Sequence, residues 1–405
     1  MKLALTANGP GEVAGWVRPL LRRVYEREPA AEAHVFLVPD AYATGHEAAM
    51  LRAAFPQAHV YEARHWVKFA LGGTIDGGPE RVDAVQYLGG DLMHAARLHA
   101  RLRGRAATYK FSKRRYRRLF DRAFAVDERN ERDLEACGTP PSRIVRVGNL
   151  AIDGALLESQ APLEAGSPHD GILIMPGSRG YEIEHLVPFF FTAALTIARE
   201  RPSVPVAFGI SPFTSVAELR SAIEGAGDPR VYARPGRLVE RGAYPYFESL
   251  DGDVRVPIVR NALAAAARAR LALTLPGTKC IELASLGVPT VTVTPINAAE
   301  LVTFNGPLTY LDRLPVAGRA LKRQVAVGIS RRFRFHTQPN MDANEMLVWE
   351  LHGTLTPGRV ARVALERYDD ADWLARTGAR LRELYREHSG ASDRMAASLV
   401  DLAGS

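Results

Sequence analysis

Cysteine is nearly absent from this chain: Cys137 and Cys280 are the only two in 405 residues. Two thiols exclude a disulfide framework and a cysteine-rich metal centre, and they fit a reducing compartment, so the expected location is the cytoplasm. No HExxH motif or paired Cys/His set occurs, and His94 and His99 do not share a helix face, so no metal is expected. Long apolar runs are missing too. The opening MKLALTANGPGEV has too short an apolar stretch for a signal peptide and reads as a first strand. The most apolar helical segment, Leu186 to Ala198, spans about a dozen residues and holds Pro188, which is short of a membrane span. Any membrane contact is then peripheral. Aromatic residues make up 8% of the chain. Few of them interleave with basic residues, which argues against a nucleic-acid partner.

What is present is basic charge, unevenly placed. The net charge is +7, which favours an anionic partner without naming it. Ten Lys or Arg residues fall between Arg101 and Arg122, a run that reads either as a solvated helix face or as a patch for anionic lipid head groups or a phosphorylated acceptor.

The length suits two domains. Apolar, β-rich runs alternate with helical-period segments, which predicts βα units and parallel sheets. Strands are expected at residues 2–7, 34–38, 59–62, 84–88, 107–111, 123–126 and 144–147, a complete doubly wound domain. Periodicity lapses from Leu156 to Asp170, LLESQAPLEAGSPHD, as it does in a linker. The second half restarts with GILIM and continues through VPVAFGI, a variable segment from Glu218 to Val256, ALTL and TVTV. The expected division is 1–160, 171–357 and a helical tail, 358–405, packing back across the domains or onto a partner subunit. The fold class is α/β: two Rossmann-like doubly wound domains facing a central cleft.

Two strand-turn-helix passages carry the chemistry. In GILIMPGSRGYEIEHL, Pro176 and Gly177 turn the chain, Ser178 offers an amide and a hydroxyl, and Arg179 a planar fork matched to phosphate oxygens. About a hundred residues later, LALTLPGTKCIELASLGVP repeats the grammar, with Gly277 and Thr278 at the turn and Lys279 as a point charge. Together the two could hold both ends of a nucleotide diphosphate. The order Gly-Thr-Lys without an upstream glycine is not the phosphate loop of NTPases. Glu282 sits one helical turn beyond Thr278, where it could accept both hydroxyls of a ribose or simply favour the helix dipole.

In the first half, Gly9, Gly11 and Gly15 in NGPGEVAGW come near the dinucleotide fingerprint, and Asp40 could be the ribose carboxylate of such a site. Asp91 follows Gly89 and Gly90 at a strand end and begins a helix. Strand ends in open α/β sheets face the ligand cleft, so this acid is either placed for chemistry or is an N-cap.

Taken in order, these passages resemble the lipid-A-disaccharide synthase family, inverting sugar transferases of the GT-B fold. GEVAG at Gly11 to Gly15 is similar to that family's Gly-Glu-x-Ser-Gly-Asp loop, and LGGDL to its Asp-containing strand end. VGNLAID at Val147 to Asp153 is similar to Val-Gly-His-Pro-Leu-x-Asp. MPGSRGYEI is close to Leu-Pro-Gly-Ser-Arg-x-x-Glu-Ile, and PGTKCIELASLGVP to Ser-Gly-Thr-x-x-Leu-Glu with its downstream Gly-x-Pro. PLTYLDRL at Pro307 to Leu314 and QPNMDANEMLVWEL at Gln338 to Leu351 are similar to Leu-Pro-Asn and Val-Pro-Glu-Leu segments. Trp16 stands where the family has Asp, Asn149 where it has His, and the aromatic acceptor motif is replaced by KFSKRRYRRLF.

The resemblance implies a UDP-sugar donor, held by Gly177, Ser178, Arg179, Gly277, Thr278, Lys279 and Glu282, with Asn340 and Glu350 lining the same cleft. Asp91 becomes the general base, and Gly9, Gly11, Glu12, Gly15 and Trp16 the acceptor loop. Helix N-termini and Arg179 would meet the leaving-group charge, so neither cofactor nor metal is required. The expected activity is transfer of an N-acetylglucosamine-type sugar to a phosphorylated lipid or envelope glycan, by a homodimer touching the inner membrane face through Arg101–Arg122. Two alternatives stand beside it: a non-hydrolysing UDP-sugar epimerase on the same two domains, and a non-catalytic nucleotide-sugar-binding protein.

Overall fold

The computed structural model describes residues 1–40, 43–225, 232–295 and 334–404. Pro307 to Leu314, one of the resembling segments, lies outside them. The chain divides into two compact units, Met1–Leu157 with Arg386–Ser405, and Glu158–Tyr385.

In unit 1 the strands are β1 (Lys2–Ala7), β2 (Glu32–Leu37), β3 (His59–Tyr61), β4 (Ala84–Tyr87), β5 (Arg105–Tyr109), β6 (Arg122–Ala125) and β7 (Ile144–Arg146). They form one sheet in the order β3-β2-β1-β4-β5-β6-β7, every pair parallel. All seven expected strands are present, with ends shifted by a residue or two. Near-continuous apolar runs such as Leu3, Ala4 and Leu5 fit a sheet buried on both faces, and these three are fully buried. On one face Leu3, Leu5 and Ala7 pack with Val13, Val17, Leu20 and Leu21.

The last helix, Ala391–Gly404, belongs to this unit and lies against the helix Arg18–Arg27. Met395 and Leu399 enter the core, Arg27 pairs with Asp393 at 2.8 Å, and Asp153 accepts from the amides of Gly390 and Ser392. The remainder of the tail belongs to unit 2. There Pro357–Asp369 packs on the helix Gly180–Glu200, and Ala371–Tyr385 on the helix Thr278–Ser285.

Unit 2 holds β8 (Ile172–Met175), β9 (Val206–Gly209), β10 (Arg237–Val239), β11 (Tyr246–Glu248), β12 (Arg255–Val259), β13 (Leu271–Thr274), β14 (Thr290–Pro295) and β15 (Trp349–Gly353). Their order is β10-β11-β12-β9-β8-β13-β14-β15. The run from β12 to β15 is parallel, and β10, β11 and β12 pair antiparallel at the edge. That edge lies within the segment read from sequence as merely variable; strands of three residues are too short to show a period.

The core of unit 2 is built on Gly180–Glu200, a helix of 21 residues that runs through Pro188. Phe189, Phe190 and Phe191 are fully buried, and each contributes about 1.5 to 3 kcal/mol by leaving water. Among the described residues no helix is long and apolar enough to cross a membrane.

Candidate functional site

β8 and β13 are neighbours in the sheet, with Met175 opposite Thr274, so the two expected anion seats leave the same sheet edge side by side. The Thr274 hydroxyl donates to the Met175 carbonyl at 2.9 Å and ties the strand ends together. The turns share a pattern, Pro-Gly, a hydroxyl residue, a basic residue, two further residues and Glu, at 176–182 and 276–282. They use it differently.

In the first turn Gly177 has φ +101°, and the helix begins only at Gly180. Glu182 is therefore the third helical residue, from which a carboxylate reaches back to the helix entrance. Its Oε2 accepts from the amides of Ser178 at 2.8 Å and Arg179 at 3.0 Å, and Tyr181 donates to Oε1 at 3.1 Å. The amides read from sequence as open to phosphate are filled by the chain's own carboxylate. The Arg179 guanidinium is half exposed and lies 3.7 Å from Glu182.

In the second turn Gly277 has φ +155° and ψ −162°, a region essentially reserved for glycine. A Cβ there would meet nothing within 4 Å, so the turn presents open backbone. The helix starts at once, at Thr278, and no side chain caps it. Glu282 is now the fifth helical residue, too far along to return to the entrance. Its Oε2 takes the Lys279 ammonium at 2.5 Å, and among the described residues Oε1 has no partner. Desolvation works against the Lys279 charge, but Glu282 and Glu158 outweigh it and raise its pKa. The third helical position is Cys280, a buried thiol bonded to the Leu275 carbonyl and pushed by burial to a pKa of about 12.

Asn340 and Glu350 meet each other beneath the segment before β15. Glu350 accepts from the amides of His336 and Thr337, the Thr337 hydroxyl and the Asn340 amide group, the last two at 2.8 Å. Asn340 also donates to the Val348 carbonyl and accepts from the amides of Leu347 and Val348. Burial would raise the pKa of Glu350, but these donors hold it below the ordinary 4.5. Both side chains are spent on holding a loop.

In unit 1, Asp91 is the N-cap of the helix Leu92–Leu102, accepting from the Met93 amide at 2.8 Å. Lys113 lies 2.9 Å and Arg115 3.5 Å from its oxygens. The Lys113 bond, then the Met93 amide, hold its carboxyl below the usual range, which makes it a weak base. The sequence shows the N-cap spacing but not Lys113, which arrives from beyond the next strand. Nearby, Trp66 donates to His94 Nδ1 at 3.0 Å, which leaves the His94 proton on Nε2.

Gly9 caps the helix Pro10–Glu12, and a Cβ on it would fall 2.7 Å from Asp40 and 3.3 Å from Glu12. At Gly11 that position is open. Gly15 and Trp16 lie in a wide turn of π-helix, Val13–Val17. Gly154 lets the helix Leu150–Ser159 approach this turn, since a Cβ on it would be 3.0 Å from the Gly15 Cα, whereas one on Gly15 would meet Ala151 at 3.6 Å, and Trp16 stacks edge-on against Tyr109 at 5.4 Å. Both are occupied by packing.

No protein-family model matches the chain, and no curated protein does. Solved structures match its fold from end to end. One, from Listeria monocytogenes, assigned as a UDP-N-acetylglucosamine 2-epimerase, is 14% identical with a TM-score of 0.61, covering 98% of this chain and 95% of its own. The UDP-GlcNAc 2-epimerase from Neisseria meningitidis, solved bound to UDP-GlcNAc, is 12% identical at 0.57, covering 99% and 100%. The glycotransferase of kitacinnamycin is 13% identical at 0.51, covering 99% and 98%. The α/β fold of two Rossmann-like units is thus that of GT-B proteins.

The epimerases among these neighbours overturn the resemblance to the lipid-A-disaccharide synthase family, and with it the reading as a lipid glycosyltransferase. The reason is local: the two Pro-Gly turns, the most specific of the resembling segments, are βα connections of the second unit, where they are set by the fold and do not specify the reaction.

Proposed function

We propose that this chain is a UDP-sugar enzyme of the epimerase kind, inverting a carbon of the sugar in a UDP-N-acetylglucosamine-type substrate without hydrolysing it. The observation that carries the reading is the second turn of unit 2: an uncapped helix entrance at Thr278, a backbone open at Gly277, and Glu282 one turn on with Oε1 unengaged. Helix amides and dipole suit the pyrophosphate, and a buried carboxylate suits the two ribose hydroxyls. Lys279 holds Oε2, so Oε1 is the oxygen left for a ligand. The likeness to UDP-GlcNAc epimerases along the whole chain supports the same choice.

Epimerisation at C2 removes one proton and returns another to the opposite face, so the protein has to offer proton carriers and keep the sugar bound between the two events. Asp91, kept anionic by Lys113, serves this reading better as a fixed negative charge and helix cap than as the carrier. An epimerase transfers its sugar to no acceptor. The phosphorylated-lipid acceptor and the membrane patch at Arg101–Arg122 therefore have no part in it, and several of those cations are engaged within unit 1: Lys113 and Arg115 with Asp91, Arg122 with Ser398, Arg101 over the Phe69 ring.

The test is incubation with UDP-GlcNAc in deuterated water, followed by proton NMR of the nucleotide sugar. The expected result is a C2 epimer carrying deuterium at C2. Unchanged UDP-GlcNAc that nevertheless binds would make the chain a nucleotide-sugar-binding protein, and conversion only on addition of an acceptor would contradict the proposal outright.

A further inference from the structure

Glu32, His34 and His59 form a row at the amino-terminal end of the unit 1 sheet. Alternation along β2 puts Glu32 and His34 on one face, and the parallel register sets His34 opposite His59 on β3. One ligand atom of each lies within 4.8 Å of the others. His34 is 1% exposed, and its ring stacks on that of His59 with 4.7 Å between centroids. Lys2, opposite Glu32 on β1, holds Glu32 Oε2 at 2.8 Å and turns Oε1 toward His34.

The single hydrogen of a neutral His34 does not suffice for its contacts. Nδ1 lies 3.0 Å from the Tyr61 hydroxyl, and Nε2 lies 3.0 Å from Glu32 Oε1. Tyr61 donates its own hydrogen to the Gly77 carbonyl. The hydrogen of a neutral imidazole then belongs on Nδ1, facing the Tyr61 oxygen. That leaves the Nε2 lone pair against a carboxylate oxygen at hydrogen-bond distance, two acceptors with nothing between them. A positive centre at Nε2 removes the conflict, and a second imidazole, on the exposed His59, stands beside it.

We propose that Glu32, His34 and His59 bind a divalent transition ion, with Nε2 of His34 and Oε1 of Glu32 as the fixed pair and the His59 ring swinging in as the third ligand. Two imidazoles and one carboxylate suit zinc, nickel or copper, and leave a position for water. No sequence spacing announces the site, because a helix, Glu47–Ala54, separates its strands. The amino-terminal ends of the strands lie opposite the sheet edge that faces ligands in such folds. The ion therefore acts on structure, pinning the edge strand β3 to β2.

The experiment uses the full chain, free of affinity tags and stripped with a chelator, titrated calorimetrically with zinc chloride and melted with and without it. Wild type is expected to take up one ion per chain with a higher melting temperature. His59→Ala, a change at an exposed residue, is expected to keep the metal-free melting temperature and to lose about tenfold or more in affinity, the scale on which outer-shell losses are already felt. A cobalt derivative is expected to show visible d–d bands that His59→Ala abolishes. Absence of saturable binding, or equal binding by His59→Ala, overturns the proposal and leaves a protonated His34 as the positive centre.

Discussion

The turns at 176–182 and 276–282 are two copies of one short pattern, and they differ in where the helix begins. In the first it begins at Gly180, which makes Glu182 a third-position residue able to cap the amides before it. In the second it begins at Thr278, and Glu282 is carried past the entrance. Two residues of offset thus separate a self-satisfied turn from one that can receive a ligand. The lesson concerns where an anion seat is found: a Pro-Gly turn before a helix is a candidate only if the helix does not already supply its own anion.

The largest effect is expected at Glu282. Glu282→Ala should lower kcat/KM for the UDP-sugar by roughly ten- to a hundredfold, the measure of about 1.5 to 3 kcal/mol for hydrogen bonds to a charged group. Steady-state rates showing less than a twofold change would remove Glu282 from the site.

Glu350 sharpens the comparison as a second carboxylate spent internally. Glu350→Gln should cost about 1 to 3 kcal/mol of stability at neutral pH with little change in substrate affinity. Its folded pKa is lowered, so its stabilisation is complete above the unfolded value of 4.5 and is lost as pH falls below that through the folded value. Urea melts of wild type and variant should therefore converge in acid. A gap that stays constant down to about pH 3 would assign the cost to something other than the charge.

Gly277→Ala tests the backbone itself. Nothing crowds a Cβ there, so the cost is the conformation alone, about 1 to 3 kcal/mol. It should appear both in thermal stability and in weaker UDP binding as the turn relaxes. The smallest effect is expected from Glu182→Ala: about 0.5 to 2 kcal/mol of stability, as for loss of a helix cap, read from urea midpoints.

Much of the fold is legible in the residues. Runs such as KLALTA and GILIM, with helical periods between them, place the strands of the first sheet and β8, β9, β13 and β14 of the second because burial on two faces demands apolar sequence, while β12 and β15 were not read as strands. The antiparallel edge formed by β10 and β11 was not legible, being built from strands of three residues. The site is legible in part. The second turn could be found from Pro-Gly-Thr and a glutamate one turn on, but the same letters at Pro176 to Glu182 describe a closed turn, and only the helix start tells them apart. Asn340 and Glu350 look like ligand residues in a string of letters and prove to bind each other. Lys113 is invisible as the partner of Asp91, since the pair forms across the sheet edge. The resemblance put a sugar transferase first and a UDP-sugar epimerase on the same two domains beside it as an alternative, and the alternative is the reading the structural neighbours support.

The most direct test of the two-turn account is a side-by-side calorimetric titration of UDP into wild type, Glu282→Ala and Glu182→Ala. Glu282→Ala is expected to lose roughly ten- to a hundredfold in affinity while Glu182→Ala stays within about twofold. The opposite pattern, with Glu182→Ala changing UDP affinity and Glu282→Ala leaving it intact, would place the nucleotide at the first turn and contradict it.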